Sequence, residues 1–406
     1  MLRDQRGRPS IILDLSRLIS RLLHPTPTGV DRVEMAYARE LMAQVPDRLH
    51  FAAVHPVAGY GRLSASAVGQ FLAATAQRWQ REGQVSNADQ RLFAARWLLA
   101  LRPVRATPLP APVVYLQASP HHLTKPALVE SILRRERAKF VCLVHDLIPI
   151  EFPEYARPDG AAEHRVRIAT MVRFCDGLIA NSAATLATIQ PWIDRSNRSL
   201  RTAIAHLGVE EHAIARQAAR TPVDRPYFVC IGTIEPRKNH LLLLNIWRRM
   251  ADTHGADAIP RLVLIGRRGW ENEQIVDMLD RCPALKGCVD EYAGLPDSQV
   301  WRLLSGAQAL LMPSFAEGYG MPVTEALDLG VPVLCSDIDA LREAGGAAPD
   351  FLDPIDGPGW MRAITSYAHD NSPERIAQLG RLASWQRPSW QNHANDVLRL
   401  VNEVAQ

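Results

Sequence analysis

Two glutamates, Glu317 and Glu325, lie eight positions apart in the stretch SFAEGYGMPVTEALDLGVPVLCS, which also holds a glycine-rich turn and a proline. The apolar run before this turn predicts a buried strand, so Glu317 follows in the loop at the strand's carboxyl end. We expect a helix to begin at Met321 or Pro322 and to stop at Gly330, because proline is favoured in the first helical turn and glycine just beyond the end. Glu325 then lies about one turn into that helix.

The backbone of this loop predicts an anion site. The amides of Gly318, Tyr319, Gly320 and the first helical turn would point at one spot, where a nucleotide diphosphate would fit. The loop glutamate would reach the hydroxyls of a sugar beyond the phosphate, and the helix glutamate would accept hydrogen bonds from a ribose. The spacing alone also allows another interpretation, in which the first glutamate ends a strand and the second faces solvent.

A second motif, IGTIEPRKNHLLLLNIW, places two cations ahead of another helix. The strand YFVCIGT ends before the turn, so Arg237 and Lys238 lie at its carboxyl end. The chain has only four lysines, and a lysine beside an arginine at a strand end is suited to stabilising a departing diphosphate. Two surface cations at a helix start are the alternative.

Short apolar runs alternate along the chain with longer helix-like segments, a pattern that predicts parallel sheets covered by helices. The pattern restarts after a polar, charged segment between residues 208 and 225. We therefore expect an α/β protein with two doubly wound, Rossmann-like domains that face each other across a cleft, where such sheets bind ligands. The domains would comprise residues 1–207 and 208–385, and residues 386–406 would form a closing helix that packs back toward the first domain.

Composition and charge restrict the class of protein. A chain of 406 residues, 47% hydrophobic and 22% charged, fits two folded domains and excludes disordered, collagen-like and coiled-coil classes. Six cysteines with no C-x-x-C pair predict reduced core residues in a cytoplasmic protein, and the N-terminus lacks a signal-like hydrophobic core.

Basic residues exceed acidic ones by nine in residues 1–200, whereas acidic residues exceed basic ones by six in the remainder. The basic half suggests an anionic partner such as a phosphorylated substrate or a membrane surface, and makes sequence-specific DNA binding only one option among several. A solvated arginine-rich surface is the alternative. In the complete interpretation we predict no nucleic-acid partner.

Together these motifs resemble glycosyltransferase family four, whose members use nucleotide sugars and have the GT-B fold. GTIEPRKNH resembles the family's diphosphate motif, and PSFAEGYGMPVTEALDLGVPVLCSDIDALREAGG resembles its donor-binding signature. The resemblance implies that Arg237 and Lys238 bind the donor diphosphate and that Glu317 contacts the transferred sugar. It also implies that Glu325 holds the ribose and that the amides from Gly318 to Met321 hold sugar and phosphate.

The first half supplies two thinner matches. HPTPTGVDRVEMAYARELM resembles the family's glycine-bearing loop after the first strand, which implies that Gly29 lies close to the phosphates. FVCLVHDLIPIEFPEY resembles the stretch where the family has a histidine opposite the donor sugar, which implies this role for His145. A helix-entry turn and a core histidine are the alternatives for these two residues.

The resemblance also bears on the chemistry. The family retains anomeric configuration and generally needs no metal, so we predict neither a metal nor a cofactor. The segment SDIDALRE contains a D-x-D pattern that binds manganese in a different glycosyltransferase fold. Because this segment follows a strand and precedes a short helix, we expect Asp337 or Asp339 to cap that helix instead.

The stretches HDLIPIEFPEY and DGLIANSAAT look most like bacterial mannosyltransferases that build surface polysaccharides. This implies GDP-mannose as the donor and a glycan or polyprenyl-diphosphate-linked oligosaccharide as the acceptor at the inner face of the membrane. The segment SILRRERAKF and the arginine-rich N-terminus would then contact anionic lipids, with a solvated basic face as the alternative. Other possible functions are transfer from a UDP- or dTDP-sugar, a nucleotide-sugar epimerase of the same fold, and a non-catalytic binding module.

Overall fold

The computed structural model describes residues 8–81, 86–210 and 225–406. These residues divide into two compact units. The first unit comprises the described parts of 1–147, 162–208 and 389–406, and the second comprises the described parts of 148–161 and 209–388. Each unit is built on one sheet.

The first unit has a sheet of seven strands within the described residues. Their bounds are β1 Ser10–Asp14, β2 Leu49–His55, β3 Gly59–Leu63, β4 Val113–Gln117, β5 Lys139–Val144, β6 Gly177–Ala180 and β7 Arg201–Ile204. The strands lie in the order β3-β2-β1-β4-β5-β6-β7. The sequence predicted parallel strands, but β2 and β3 are antiparallel, because the three residues between them form a hairpin too short for a parallel crossover.

Helices cover this sheet, and their residues follow the amphipathic segments of the sequence. Their bounds are α1 Ser16–Ser20, α2 Gly29–Gln44, α3 Ala65–Gln80, α4 Asn87–Ala100, α5 Pro126–Glu136, α7 Gly160–Phe174, α8 Ala183–Arg195 and, near the C-terminus, α16 Trp390–Val404. A short 3-10 helix spans Pro46–Arg48. The predicted closing helix therefore forms as α16, and it packs on α2, β6 and β7 of the first unit.

The second unit has six strands within the described residues, β8 Tyr227–Ile231, β9 Arg261–Ile265, β10 Val289–Tyr292, β11 Leu310–Met312, β12 Val333–Ser336 and β13 Asp350–Leu352. Their order is β10-β9-β8-β11-β12-β13. The α-helices are α6 Ile148–Glu151, α9 His240–His254, α10 Glu273–Arg281, α11 Asp297–Ser305, α12 Met321–Asp328, α13 Asp339–Gly345, α14 Gly357–Tyr367 and α15 Pro373–Leu382. The 3-10 helices are Pro153–Tyr155, Pro236–Lys238 and Pro283–Leu285.

Both faces of the second sheet are buried under helices. Phe228 belongs to an apolar cluster with Trp247 of α9, whereas its neighbour Val229 belongs to a cluster on the other face with Val323 of α12. Successive strand residues point to opposite faces, so a strand covered on both sides is apolar at every position. This burial explains the continuous apolar runs from which the sequence predicted the strands.

The observed units differ from the expected division in one internal segment. Residues 148–161 belong to the second unit, although they were expected in the first domain. Tyr155 stacks on Phe315 with ring centroids 5.8 Å apart, and the Trp270 indole donates a hydrogen bond of 2.8 Å to the Tyr155 carbonyl oxygen. The other boundaries lie at 208 and 388, and residues 211–224 of the expected linker lie outside the described residues.

The segments expected to contact lipid are only partly described. Residues 1–7 of the arginine-rich N-terminus lie outside the described residues. In SILRRERAKF, Arg134 pairs with Glu130 at 2.8 Å, and Glu136 pairs with Arg62 at 2.5 Å. None of the helices in the described ranges has the length and apolar composition needed to cross a bilayer.

Strands β8 and β9 approach each other closely at their carboxyl ends, where Gly232 and Gly266 face each other. The Gly232 amide donates to the Ile265 carbonyl oxygen at 3.0 Å. A Cβ atom built on Gly266 would lie 1.8 Å from the Gly232 carbonyl oxygen. Only glycine fits this contact, which fixes the start of the turn that carries Arg237 and Lys238.

We predict that Gly266→Ala lowers the free energy of unfolding by about 3 kcal/mol, because the added methyl group must push the ends of β8 and β9 apart. Gly380→Ala in α15 is the matched control, since its added Cβ has no neighbour within 4 Å. The control should change stability by less than about 1 kcal/mol, toward greater stability. Urea unfolding of the three proteins measures both effects, and equal stabilities would contradict the steric argument.

Candidate functional site

The second sheet brings two distant loops together at its carboxyl edge. The turn with Arg237 and Lys238 follows β8, and the loop with Glu317 follows β11. Strands β8 and β11 are neighbours in the sheet although β9 and β10 lie between them in the sequence. After β10 the chain therefore crosses from one side of β8 to the other. Ligands of open α/β sheets bind outside the carboxyl ends of the strands at such a switch point. The amide of Phe315 also donates to the Arg237 carbonyl oxygen at 2.9 Å, which ties the two loops together.

Glu317 is held between the two predicted cations. Its Oε2 lies 2.8 Å from Nη1 of Arg237, and its Oε1 lies 2.5 Å from Nζ of Lys238. The Glu317 side chain is 8% exposed, and those of Arg237 and Lys238 are 18% and 12% exposed. The sequence predicted each residue at the anion site, but it did not predict that they form one buried ion cluster.

The charge state of Glu317 follows from these contacts. Burial raises the pKa of the carboxyl group, but the charges of Arg237 and Lys238 and hydrogen bonds from Lys238 and Ser314 outweigh it and lower the pKa from 4.5 to about 2. The side chain is therefore ionised at neutral pH. It can accept hydrogen bonds from sugar hydroxyls, and it has no proton to give to a leaving group.

A further carboxylate, Glu235, orients Arg237 and was missed by the sequence analysis. Its Oε1 accepts hydrogen bonds of 3.0 Å from Nε and 2.6 Å from Nη2 of Arg237, and the residue is 3% exposed. The remaining guanidinium nitrogen, Nη1, donates to the Ala316 carbonyl oxygen at 2.7 Å. The motif IEPRK did contain this glutamate, but its position beside the arginine depends on the 3-10 turn that follows.

The loop after Glu317 enters α12 through Gly320, which has φ of +112°. A Cβ atom at this position would lie 2.5 Å from Leu341 Cδ2, so both backbone conformation and space require glycine. The predicted helix bounds are confirmed, because α12 begins at Met321 with a proline in its first turn and ends before Gly330. No side chain caps this helix start. Pro322 has no amide hydrogen and the Val323 amide donates to the Gly320 carbonyl oxygen at 2.9 Å, so Met321 is the first-turn residue whose amide could face an anion.

The other predicted residues of this loop lie as the sequence implied. Tyr319 is buried, and Gly318 is half-buried. Glu325 is half-buried in the second turn of α12. Its contact with a ribose stays a prediction, as do the contacts of the backbone from Gly318 to Met321 with sugar and phosphate.

The sequence analysis also missed a stack of aromatic side chains that includes Phe315, two positions before Glu317. Phe315 stacks on Tyr155 at an interplanar angle of 10°, and Tyr155 in turn stacks on Phe152 with centroids 5.9 Å apart. Phe152 and Tyr155 come from the segment IEFPEY, which the sequence analysis assigned to the first domain. Its two aromatic residues could have indicated a packing surface, but nothing local indicated which sheet they would cover.

The two predicted residues of the first half lie in the first unit. His145 follows β5, and its Nε2 donates to the Ala118 carbonyl oxygen at 2.8 Å. Burial lowers the pKa of this imidazole from 6.5, against the raising effects of the Ala118 carbonyl group and Asp146, so the ring is neutral at pH 7 with Nδ1 as its acceptor. Gly29 is the exposed first residue of α2, after the N-cap Thr28. The roles of both residues toward the donor stay predictions.

The expectation that Asp337 or Asp339 caps a helix is wrong. Helix α13 begins at Asp339 after Ile338, and no side chain caps it. Asp337 instead pairs with Arg342, whose Nη2 donates to Oδ2 at 2.7 Å. The arginine one turn into the helix attracts this carboxylate more strongly than the neutral amides do. Within the described ranges, no cluster of three or more His, Cys, Asp or Glu side chains is placed to hold a metal ion.

The low pKa of Glu317 predicts a pH-dependent contribution to stability. Because the pKa is about 2 in the folded protein and near 4.5 when unfolded, the stabilisation is complete above pH 4.5 and is lost as pH falls toward 2. At pH 7, Glu317→Gln should lower the free energy of unfolding by about 3 kcal/mol. The difference from the unsubstituted protein should shrink in urea titrations at pH 4 and pH 3.

Asp337→Asn is the control for this prediction, since the Asp337 carboxylate is 43% exposed in its pair with Arg342. An exposed pair contributes at most about 1 kcal/mol, so this variant should unfold close to the unsubstituted protein at pH 7. A pH-independent difference for Glu317→Gln would contradict the assigned ion cluster.

Parts of the chain resemble a known protein family and named proteins. The model of the family "Glycosyl transferases group 1" matches residues 212–348. O-antigen chain mannosyltransferase B of Escherichia coli is 34% identical over 166 residues, which are 41% of this chain and 43% of that protein. A serotype-specific mannosyltransferase WbdA of Escherichia coli is 25% identical over 312 residues, which cover 69% of this chain and 36% of that protein. The chain thus spans less than half the length of these two relatives.

Solved structures show the same fold. Sucrose-phosphate synthase from Thermosynechococcus elongatus has a TM-score of 0.62 at 16% identity, with 98% of this chain and 99% of that chain covered. HepE from Anabaena in complex with UDP has a TM-score of 0.60 at 14% identity, with 97% and 99% covered. These are GT-B structures, and the two Rossmann-like units confirm the predicted α/β fold class. Residues 212–348 are thus similar to the glycosyl transferases group 1, within a chain that has the fold of these solved structures.

Proposed function

We propose that this protein is a retaining glycosyltransferase that moves a hexose from a nucleotide sugar to an acceptor hydroxyl. The proposed donor is GDP-mannose, and the acceptor is a glycan or a polyprenyl-diphosphate-linked oligosaccharide in bacterial surface polysaccharide synthesis. Support comes from the names of the relatives, which are O-antigen and serotype-specific mannosyltransferases. An additional O-antigen chain mannosyltransferase, from Salmonella typhimurium, is 28% identical over 159 residues.

The single observation that carries the proposal is the ion cluster at the switch point of the second sheet. Arg237 and Lys238 lie within 2.8 Å of Glu317, so one site presents two positive charges and an ionised carboxylate. A sugar diphosphate has matching parts, since its phosphates need cations and its hydroxyls need acceptors. The Met321 amide at the uncapped start of α12 could add a backbone donor to this site.

The reaction would use these groups as follows. The bond between the anomeric carbon and the diphosphate oxygen breaks with its electron pair on the oxygen, and Arg237 and Lys238 stabilise the charge that develops there. The acceptor hydroxyl attacks from the same face, and its proton passes to that departing phosphate oxygen, so configuration is retained. Glu317 holds the sugar through its hydroxyls, because its pKa of about 2 leaves it no proton to donate.

Neither a metal ion nor a cofactor has a role in this proposal, because two side-chain cations supply the positive charge that a leaving diphosphate requires. The enzyme is proposed to act in the cytoplasm, with peripheral contact to the anionic inner face of the membrane where the acceptor resides. The second candidate donor is a UDP-sugar, which the HepE complex with UDP favours.

We predict that nucleotide is released from one sugar of a panel of GDP, UDP, dTDP and ADP sugars, and that chelator does not reduce the rate. The assay contains an acceptor mixture of lipid-linked oligosaccharides, and the donor is checked for epimerisation. Release from GDP-mannose in the presence of chelator is the expected result. Strict metal dependence, or epimerised donor without transfer, would overturn the proposed chemistry.

Substitutions in the ion cluster should separate transfer from binding. Lys238→Gln should lower kcat by about 100-fold or more, because a charge that acts on the developing leaving group is lost. Glu317→Ala should abolish transfer and leave nucleotide affinity largely unchanged. Lys286→Gln is the matched control, since Lys286 is exposed in the same unit and should keep full activity. Turnover by Glu317→Ala at the unsubstituted rate would show that its assigned role is wrong.

A further inference from the structure

Helix α4 of the first unit carries apolar side chains on two opposite faces. On its inner face, Trp97 is buried and its ring centroid lies 5.5 Å from that of Phe71 in α3. On its outer face, Leu92 and Leu99 are 72% and 64% exposed. A surface helix that packs on one side normally has charged and polar residues on the other. The outer face of α4 therefore departs from the pattern of a solvated helix.

The exposed apolar residues of α4 form one stripe. They recur at intervals of four, three and four positions, which places them on the same side of a helix. The stripe consists of Ala88, Leu92, Ala95 and Leu99, all of which are exposed. Single exposed apolar residues are common on protein surfaces, whereas a contiguous group of them indicates an interaction site.

Two segments next to the C-terminal end of α4 also expose apolar side chains. The hairpin between β2 and β3 is joined to α4, because Nε2 of His55 donates to the Leu98 carbonyl oxygen at 2.9 Å. Val57 in this hairpin is exposed, and so is Val104 in the segment after α4. The Val104 amide donates to the Arg62 carbonyl oxygen of β3 at 2.9 Å. The apolar surface of α4 is therefore continued by two segments that are held beside it.

The charge of this region is positive. Residues 87–105 contain four arginines and one acidic residue. The arginines are Arg91, Arg96, Arg102 and Arg105, and all four are exposed. Among the residues that the structure describes, no carboxylate forms an ion pair with any of them. The acidic residue, Asp89, accepts a hydrogen bond of 2.8 Å from the Ser86 hydroxyl at the start of the helix.

The arginines of α4 flank the apolar stripe and do not interrupt it. One residue corresponds to about 100° of rotation in an α-helix, so Arg91 and Arg96 lie on opposite sides of the line through Leu92 and its stripe. The guanidinium carbon of Arg96 lies 5.1 Å from the centroid of the Trp97 ring. Arginine can lay its stem along apolar surface while its charged end stays in water. An apolar centre with cationic margins is typical of helices that lie in a membrane interface.

Helix α5, in the segment SILRRERAKF and its surroundings, lacks this combination. Its arginines are exposed, but Arg134 pairs with Glu130 at 2.8 Å. Its leucines, Leu128 and Leu133, are half-buried, and no large apolar residue of α5 is exposed. Charge alone can attract α5 to an anionic surface, whereas α4 adds apolar side chains that can insert. The contact of α5 with lipid stays a prediction.

We propose that the outer face of α4 docks the protein onto an anionic lipid bilayer, with the exposed leucines among the head groups and the flanking arginines on lipid phosphates. A bilayer of this kind offers apolar surface and negative charge together. A second copy of this chain would bring the same arginines against one another, which like-charge repulsion disfavours. The proposal rests on the proposed function for the presence of a membrane contact, and it assigns that contact to α4.

The test measures how much of the full chain sediments with vesicles. One set contains phosphatidylcholine alone, and the other contains equal parts of phosphatidylcholine and phosphatidylglycerol. We expect at least about tenfold stronger binding to the anionic vesicles, because each arginine near the surface is attracted to them. Added salt should weaken this binding. Equal binding to both sets, or no binding to the anionic set, would overturn the proposal.

Substitution of the exposed leucines tests the insertion. Leu92→Gln/Leu99→Gln should weaken binding to anionic vesicles by at least about tenfold, because two apolar side chains no longer leave water. Val166→Gln/Ile376→Gln is the matched control, since these residues are 42% and 55% exposed on α7 and α15. The control should bind as the unsubstituted protein does. Unchanged binding by the leucine variant, or an equal loss in the control, would show that α4 does not insert.

Substitution of the flanking arginines tests the location of the contact. Arg91→Gln/Arg96→Gln should weaken binding to anionic vesicles by at least about tenfold. Arg134→Gln/Arg135→Gln removes the same charge from α5 and should have a smaller effect. A larger loss in the α5 variant than in the α4 variant would place the contact on α5 and overturn the proposal.

Two further measurements separate this proposal from the alternatives. Lys238→Gln lies in the second unit and should bind vesicles as the unsubstituted protein does, although transfer is lost. Vesicle binding through α4 without transferase activity would leave the docking helix standing alone, whereas transfer without vesicle binding would remove the docking helix and keep the enzyme. A dimer in sedimentation velocity that Leu92→Gln/Leu99→Gln dissociates would assign the face to a second copy and overturn the proposal.

Discussion

The contact of Glu317 with Arg237 and Lys238 is the interaction on which the second unit's site depends. Two cations next to each other in a partly buried turn repel each other and lose hydration. The carboxylate compensates both at distances of 2.8 and 2.5 Å, and its own burial is compensated in return. Because the cations follow β8 and the carboxylate follows β11, the cluster also fixes the two loops to each other. A diphosphate that binds here must share these cations with Glu317, so the carboxylate is already aligned with the ligand when the ligand arrives.

This cluster needs a particular sheet order and a close backbone approach. Strand β8 has β9 on one side and β11 on the other, which brings together Lys238 and Glu317, 79 positions apart in the sequence. The contact of Gly232 with Gly266 and the left-handed Gly320 allow the backbone to turn tightly on either side of the cluster. Glu235 accepts hydrogen bonds from Arg237 of the first loop, and Tyr155 stacks on Phe315 at the start of the second.

Local features of the sequence were sufficient for most of the elements, whereas the roles of the site residues stay predictions. Proline and glycine determined the bounds of α12, and apolar runs determined strands that are buried on both faces. Contacts between distant segments were not predictable in the same way. The pairing of Glu317 with both cations depends on which strands become neighbours. The position of Glu235 depends on the 3-10 turn that follows it, and residues 148–161 join the second unit through contacts with distant residues. The prediction that Asp337 or Asp339 caps a helix was wrong for a local reason. Arg342 gives Asp337 a charged partner, and helix-cap preferences do not take such a partner into account.

Two arginines, one in each unit, differ in their partners. Arg237 contacts two carboxylates, Glu235 and Glu317, at 2.6 and 2.8 Å, whereas Arg78 contacts none among the described residues and keeps an unpartnered buried nitrogen. The compensated arginine belongs to the acidic half of the sequence and the uncompensated one to the basic half. A compensated cation is positioned but must be shared with its carboxylates, while an uncompensated one carries a desolvation cost.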